Sequence, residues 1–144
     1  MTLKPLVLKG LMILLAVVLV MIVLVQWRAT AREANAETLY PASGQFIDVE
    51  GTQIHVSVSG SGPDIVLIHG ASGSLRDFTF GLVARLSDRY RVIALDRPGL
   101  GRSERPPGYV GIWNVAPEPP SVQANLMQAA ADAIGVENPI VLGH

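Results

Sequence analysis

Apolar residues are distributed along this chain in two ways, one continuous and one periodic. From Leu6 to Trp27 the only charge is Lys9, and Leu11–Val25 is an unbroken run of Leu, Ile, Val, Met and Ala. A helix over that stretch spans roughly 33 Å at about 1.5 Å per residue, enough for the hydrocarbon core of a bilayer. A buried core helix would need other elements to cover it all round, and the rest of the chain has none to spare. Residues 1–28 therefore read as a transmembrane segment, with the span at residues 6–27. Lys9 can snorkel to the headgroups at one end, while Trp27 and Arg28 suit the interface at the other.

Residues 29–44 are rich in Ala, Glu, Thr and Ser without lasting periodicity, and read as a linker. The periodic pattern fills 45–144. Phe46, Val49, Ile54, Val56 and Val58 fall in two β-prone runs separated by Glu50-Gly51-Thr52, which predicts a leading hairpin. Ile65–Ile68, Val92–Leu95 and Ile140–Leu142 are continuous apolar runs of strand length, as in a sheet covered on both faces; the last belongs in mid-sheet. Between them, Ser74 with Asp77 suggests a capping box, and Phe78, Leu82 and Leu86 predict a helix. A second helix covers Ser121–Ile134, with Val122, Leu126, Ala130 and Ala133 on one face and Gly135 as its stop. Strands alternating with helices predict an α/β fold whose sheet is mostly parallel, with the hairpin as an antiparallel lead.

Composition narrows the chemistry. Net charge is −1 with both signs scattered, so no basic patch recommends nucleic acid as a partner. There is no cysteine, which excludes disulfides and thiolate metal sites. The mean hydropathy of +0.38 chiefly reflects the N-terminal span. Lysine occurs only at Lys4 and Lys9, so no P-loop is present. Gly99-Leu100-Gly101 would place Glu104 at the sixth position of a dinucleotide fingerprint, where it fits neither the packing nor a pyrophosphate. No cofactor is implied.

The candidate chemistry lies at strand ends. After Ile68 the chain runs His69-Gly70-Ala71, and a loop leaving a parallel strand's carboxyl end presents unpaired N–H groups to the crevice. Such groups can hold developing negative charge. His69 reads as structural, because no second His, Asp or Glu stands at metal-ligand spacing; no metal site is expected. Asp96 closes the Val92–Leu95 strand and opens a turn in which Gly99 and Gly101 allow positive φ and Ser103 bonds the backbone. His55 reads as a surface or edge-strand residue. The Pro- and Gly-rich stretch Arg105–Pro120, carrying Tyr109, Ile112 and Trp113, either lines a site entrance or is an exposed loop.

Three segments, Ile65–Ser74 (IVLIHGASGS), Val92–Ser103 (VIALDRPGLGRS) and Ile140–His144 (IVLGH), together resemble the α/β-hydrolase fold family. The resemblance covers about Phe46 to His144 and implies the N-terminal portion of that fold. It implies that Ala71 lends its backbone N–H to an oxyanion hole. Gly143 and His144 would open the G-x-S-x-G elbow, which puts the nucleophile immediately after His144 and no catalytic side chain within these residues. Asp96 precedes the elbow, whereas the family's acid follows it, so Asp96 is structural. Serine is the expected nucleophile, acting on a small-molecule ester or other acyl substrate. Dehalogenases tend to carry Asn where this chain has Ala71, and epoxide hydrolases Pro where it has Ser72. An aspartate nucleophile and a non-catalytic binding relative remain alternatives.

The first segment is expected to stay as an uncleaved anchor, although Ala29-Thr30-Ala31 and Ala34-Asn35-Ala36 offer sites for cleavage and export. Lys4 and Lys9 before the span against Arg28 and Arg32 after it lean weakly toward an extracytoplasmic domain. The fragment by itself is expected to be inactive.

Overall fold

The computed structural model describes residues 5–111, 116 and 118–144. Lys4, Ile112 and Trp113, invoked above for the basic start and the site entrance, lie outside the described residues. The chain divides into two compact units, Met1–Ala42 and Ser43–His144.

In the first unit, helix α1 runs from Pro5 to Leu39, and none of its residues is buried. By length and composition it can cross a membrane. The helix continues for ten residues past Ala29, through most of the stretch expected to be an irregular linker. Ala31, Ala34, Ala36, Arg32, Glu33 and Glu37 are strong helix formers, so propensity extends the helix where apolar periodicity has ended. Thr30 and Thr38 return their hydroxyls to the carbonyls of Gln26 (3.1 Å) and Ala34 (3.0 Å).

The second unit is a five-stranded sheet. Strands β1 (Gln45–Val49) and β2 (Thr52–Ser59) form the predicted antiparallel hairpin, turning through positive φ at Glu50 (53°) and Gly51 (76°). β3 (Asp64–Ile68), β4 (Arg91–Leu95) and β5 (Ile140–Gly143) are parallel, and the order across the sheet is β1-β2-β4-β3-β5. β2 joins β4 antiparallel, with Val56 opposite Leu95.

Side chains alternate across this sheet into two cores. Ile54, Val56, Val66, Ile93 and Leu95 pack toward Leu126, Ala130 and Ala131 of α4 (Pro120–Ala133). Ile65, Leu67, Val92 and Ala94 pack toward Leu75 and Phe78 on the other face. Covering both faces explains why β3 and β4 are apolar at every position after their first, Asp64 and Arg91, each buried aliphatic contributing about 1.5–3 kcal/mol.

Two expectations need correction. The helix predicted after Ser74 is two short ones, α2 (Arg76–Thr79) and α3 (Leu82–Leu86), divided at Gly81, whose φ of 178° is extended. Gly81 has poor helix propensity, and the break leaves Phe78 buried while Phe80 faces solvent. The cap is only partly formed: Asp77 Oδ2 accepts from the Ser74 N–H (3.2 Å), and Ser74 Oγ from that of Arg76 (3.3 Å). Strand β5 is not mid-sheet. It is the outer neighbour of β3, all four of its residues are exposed, and no strand among the described residues pairs with its far side.

A clamp holds the start of this arrangement. Arg91 grips Asp64 through Nε (2.6 Å) and a terminal nitrogen (3.0 Å), and reaches the Gly135 carbonyl at 2.7 Å. Asp64 Oδ2 also accepts the Glu137 N–H at 2.9 Å, which ties the turn after α4 to the first residue of β3. Gly135, with φ 68°, ends α4 as its sequence position suggests.

Candidate active site

The carboxyl ends of β3 and β5 lie side by side, in the register Ile68 to Gly143. The next residues extend the pairing: the His144 N–H donates to the Ile68 carbonyl at 3.0 Å. Gly70 then passes so close to His144 that an added Cβ would meet the His144 carbonyl oxygen at 2.8 Å. Only glycine permits this approach without displacing backbone. His69, Gly70, Gly143 and His144 are thus brought together, and among the described residues His144 is exposed.

The peptide joining Gly70 to Ala71 is held from one side. Its carbonyl accepts from His69 Nδ1 at 2.9 Å and from the Gly73 N–H at 3.3 Å. Its N–H, on Ala71, has no acceptor among the described residues, and Ala71 is exposed. Because a trans peptide directs its N–H opposite to its C=O, fixing the carbonyl also fixes the direction of the amide. Ser72 follows at φ 62° and completes the turn.

His69 is buried and neutral by its bonding pattern: Nδ1–H donates to Gly70, and Nε2 accepts the Arg97 N–H at 3.0 Å. Both ring nitrogens are committed within the protein, in keeping with the structural reading.

Asp96 serves the neighbouring turn. Its Oδ1 accepts the Leu75 N–H (2.7 Å), and its Oδ2 accepts the Arg102 N–H (3.0 Å). Gly99 (φ 74°) and Gly101 (φ 56°) take the left-handed conformation, and a Cβ on Gly101 would collide with the Asp96 carboxylate. Ser103 Oγ donates to the Asp96 carbonyl at 2.7 Å and accepts the His55 N–H at 2.9 Å.

His55 corrects the sequence reading. It is 2% exposed, its Nδ1 lies 2.8 Å from Asp96 Oδ2, and the Phe46 ring is 5.0 Å away. Strand alternation does place it opposite the face of Ile54 and Val56. Its actual partner is 41 residues distant, beyond the reach of any local pattern.

Asp64 is the titratable group whose environment is clearly shifted, and it lies at the opposite end of β3. The hydrogen bond from Arg91, then that from the Glu137 N–H, then the Arg91 charge hold its carboxyl below the ordinary 3.8. Its role is structural.

An acceptor-free amide at a strand's carboxyl end, beside the exit of the next parallel strand, can receive developing negative charge. A mixed sheet covered on both faces, with this amide where two parallel strands end side by side, is the architecture of an α/β-hydrolase type of domain. Residues 63–144 match the family described as alpha/beta hydrolase fold, and the chain belongs to that family.

Among curated relatives, it is 35% identical over 115 residues to the dihydrolipoyllysine-residue acetyltransferase component of an acetoin cleaving system from Cupriavidus necator, covering 79% of this chain and 27% of that protein. It is 39% identical over 74 residues to haloalkane dehalogenase 2 of Mycobacterium tuberculosis, covering 49% of this chain and 24% of that one. The chain therefore spans about a quarter of the length of these relatives. Of solved structures, a membrane phospholipase A described as a bacterial virulence factor aligns with TM-score 0.60 and 29% identity over 98% of this chain and 44% of its own. The Cif epoxide hydrolase of Acinetobacter nosocomialis aligns with TM-score 0.58 and 27% identity over 71% of this chain and 30% of its own.

Proposed function

We propose that the whole protein is a membrane-anchored acyl hydrolase whose serine nucleophile directly follows His144. The observation that carries this reading is the approach of Gly70 to His144, which sets the free Ala71 amide beside the exit of β5. A nucleophile raised there would attack an ester carbonyl whose oxygen meets that N–H. Negative charge moves onto this oxygen in the tetrahedral intermediate and returns when the alcohol leaves. A histidine base and a carboxylate from later in the chain would complete the machinery, in the chain order of this fold.

Helix α1 supports membrane anchoring, and the likeness to a membrane phospholipase over 98% of the chain points to lipid-derived or other apolar esters. An aspartate nucleophile is the second reading, favoured by the 39% identity to a haloalkane dehalogenase. Ala71 and Ser72, where those branches tend to carry Asn and Pro, argue for serine.

Labelling the full-length protein with a fluorophosphonate, followed by peptide mass spectrometry, tests the proposal. Modification of the residue after His144 is the expected result. An unlabelled protein that incorporates ¹⁸O from water into an aspartate at that position would establish the second reading. Neither event would leave a membrane-tethered binding protein.

A further inference from the structure

We infer that His69 is a positioning residue that fixes the direction of the Ala71 N–H, an inference that rests on the oxyanion role proposed above. Its geometry is local and complete. The His69 Nδ1–H grips the Gly70 carbonyl at 2.9 Å, and that carbonyl shares one rigid peptide with the Ala71 N–H. The ring is itself immobilised, since Nε2 accepts the Arg97 N–H at 3.0 Å and the side chain is fully buried. Gly73 leaves room for it, because a Cβ there would stand 3.3 Å from Nδ1. The chain of support thus runs from the end of β4, through the imidazole, to the peptide that presents the amide.

Burial and the bond to Arg97 would equally suit a histidine that merely ties β3 to β4. The two nitrogens separate these roles. In His69→Asn the side-chain amide nitrogen takes about the place of Nδ1 and still donates to Gly70, but it cannot reach Arg97. In His69→Gln the amide oxygen can reach toward the Arg97 N–H, while the donor to Gly70 is lost.

The test measures kcat and KM of the full-length protein on a p-nitrophenyl ester. We expect His69→Gln to lose about 10²-fold in kcat with KM changed less than about threefold, the signature of an interaction made in the transition state. His69→Asn should stay within about fivefold of the parent kcat, misplacement being what costs rate. The reverse order, or equal losses in both variants, would overturn the inference.

Two measurements do not depend on catalysis. In the ¹⁵N-labelled parent protein, long-range imidazole correlations should show the proton of His69 on Nδ1; a proton on Nε2 alone overturns the inference without any variant. The Ala71 N–H residual dipolar coupling should change in His69→Gln and persist in His69→Asn; an unchanged coupling in His69→Gln overturns it as well. A parent protein inactive on the ester but with these NMR results would remove the acyl-hydrolase reading and leave the positioning of the amide intact.

Discussion

The carbonyl oxygen of His144 stands 2.8 Å from the point where a Cβ on Gly70 would lie. Two segments separated by the whole of β4 and α4 therefore meet with backbone against backbone. The opposing group is main-chain, so relieving the contact means shifting backbone rather than the end of a flexible side chain. Gly70→Ala should destabilise the domain by about 1–3 kcal/mol through overpacking, read as a lower midpoint in urea unfolding. An unchanged midpoint would mean that the β3 and β5 ends are not in this contact.

Replacing Ala71 by proline removes the donated N–H while leaving most of the turn's volume in place. In the full-length protein, Ala71→Pro should lower kcat on an ester by about 10²–10³-fold, the usual cost of losing one oxyanion donor. Unchanged kinetics in a folded variant would take Ala71 out of the proposed role.

The two turn glycines are not equivalent. Both have positive φ, but a Cβ on Gly101 meets the Asp96 carboxylate, whereas one on Gly99 meets the ends of Arg105 and Glu118 at 3.2 Å. Long side-chain ends can move, and a carboxylate holding Leu75, Arg102 and His55 cannot. Each Gly→Ala change carries roughly 1–2 kcal/mol for the left-handed backbone. Gly101→Ala should cost further stability beyond this. Equal losses in thermal unfolding would contradict the network around Asp96.

Asp64 sets an acid limit. Its folded carboxyl titrates below its ordinary 3.8, chiefly through the Arg91 hydrogen bond. A depressed carboxyl adds stability that is fully present above the unfolded value and disappears as pH falls through the folded one. The stability difference between the parent protein and Asp64→Asn should therefore hold steady above about pH 5 and shrink below about pH 4. A difference that stays constant down to pH 2 would refute it.

The N-terminal helix gives a separate prediction. Deleting residues 1–28 removes the apolar span but leaves the helical Ala29–Leu39 turns. The shortened protein should appear in the soluble fraction after ultracentrifugation. Continued sedimentation with membranes would count against an anchor.

Leu142 does not take the mid-sheet position expected for it among the described residues. Among the described residues β5 lies outermost, and Leu142 is paired on one side, opposite Leu67. The proposed site asks only that β5 lie next to β3, and the two strands are parallel neighbours. The register Ile68 to Gly143 is what carries His144 to Gly70.

Local chemistry was enough to read the strands, the hairpin, the stop at Gly135 and the turn glycines Gly99 and Gly101, because each depends on a residue's own preference or on alternation along a few neighbours. The apolar helix over residues 6–27 was legible for the same reason, since length and apolarity are properties of one segment. What lay beyond the sequence was every relation between segments. The Ala-rich stretch joined α1 because propensity prevailed beyond the apolar run, and the helix after Ser74 divided at Gly81, a poor helix former. His55 looked like an edge residue until the fold set it against Asp96, 41 positions away. The approach of Gly70 to His144 is likewise decided by strand order, which no single segment encodes, since pairing partners are chosen only when the two cores close around the sheet.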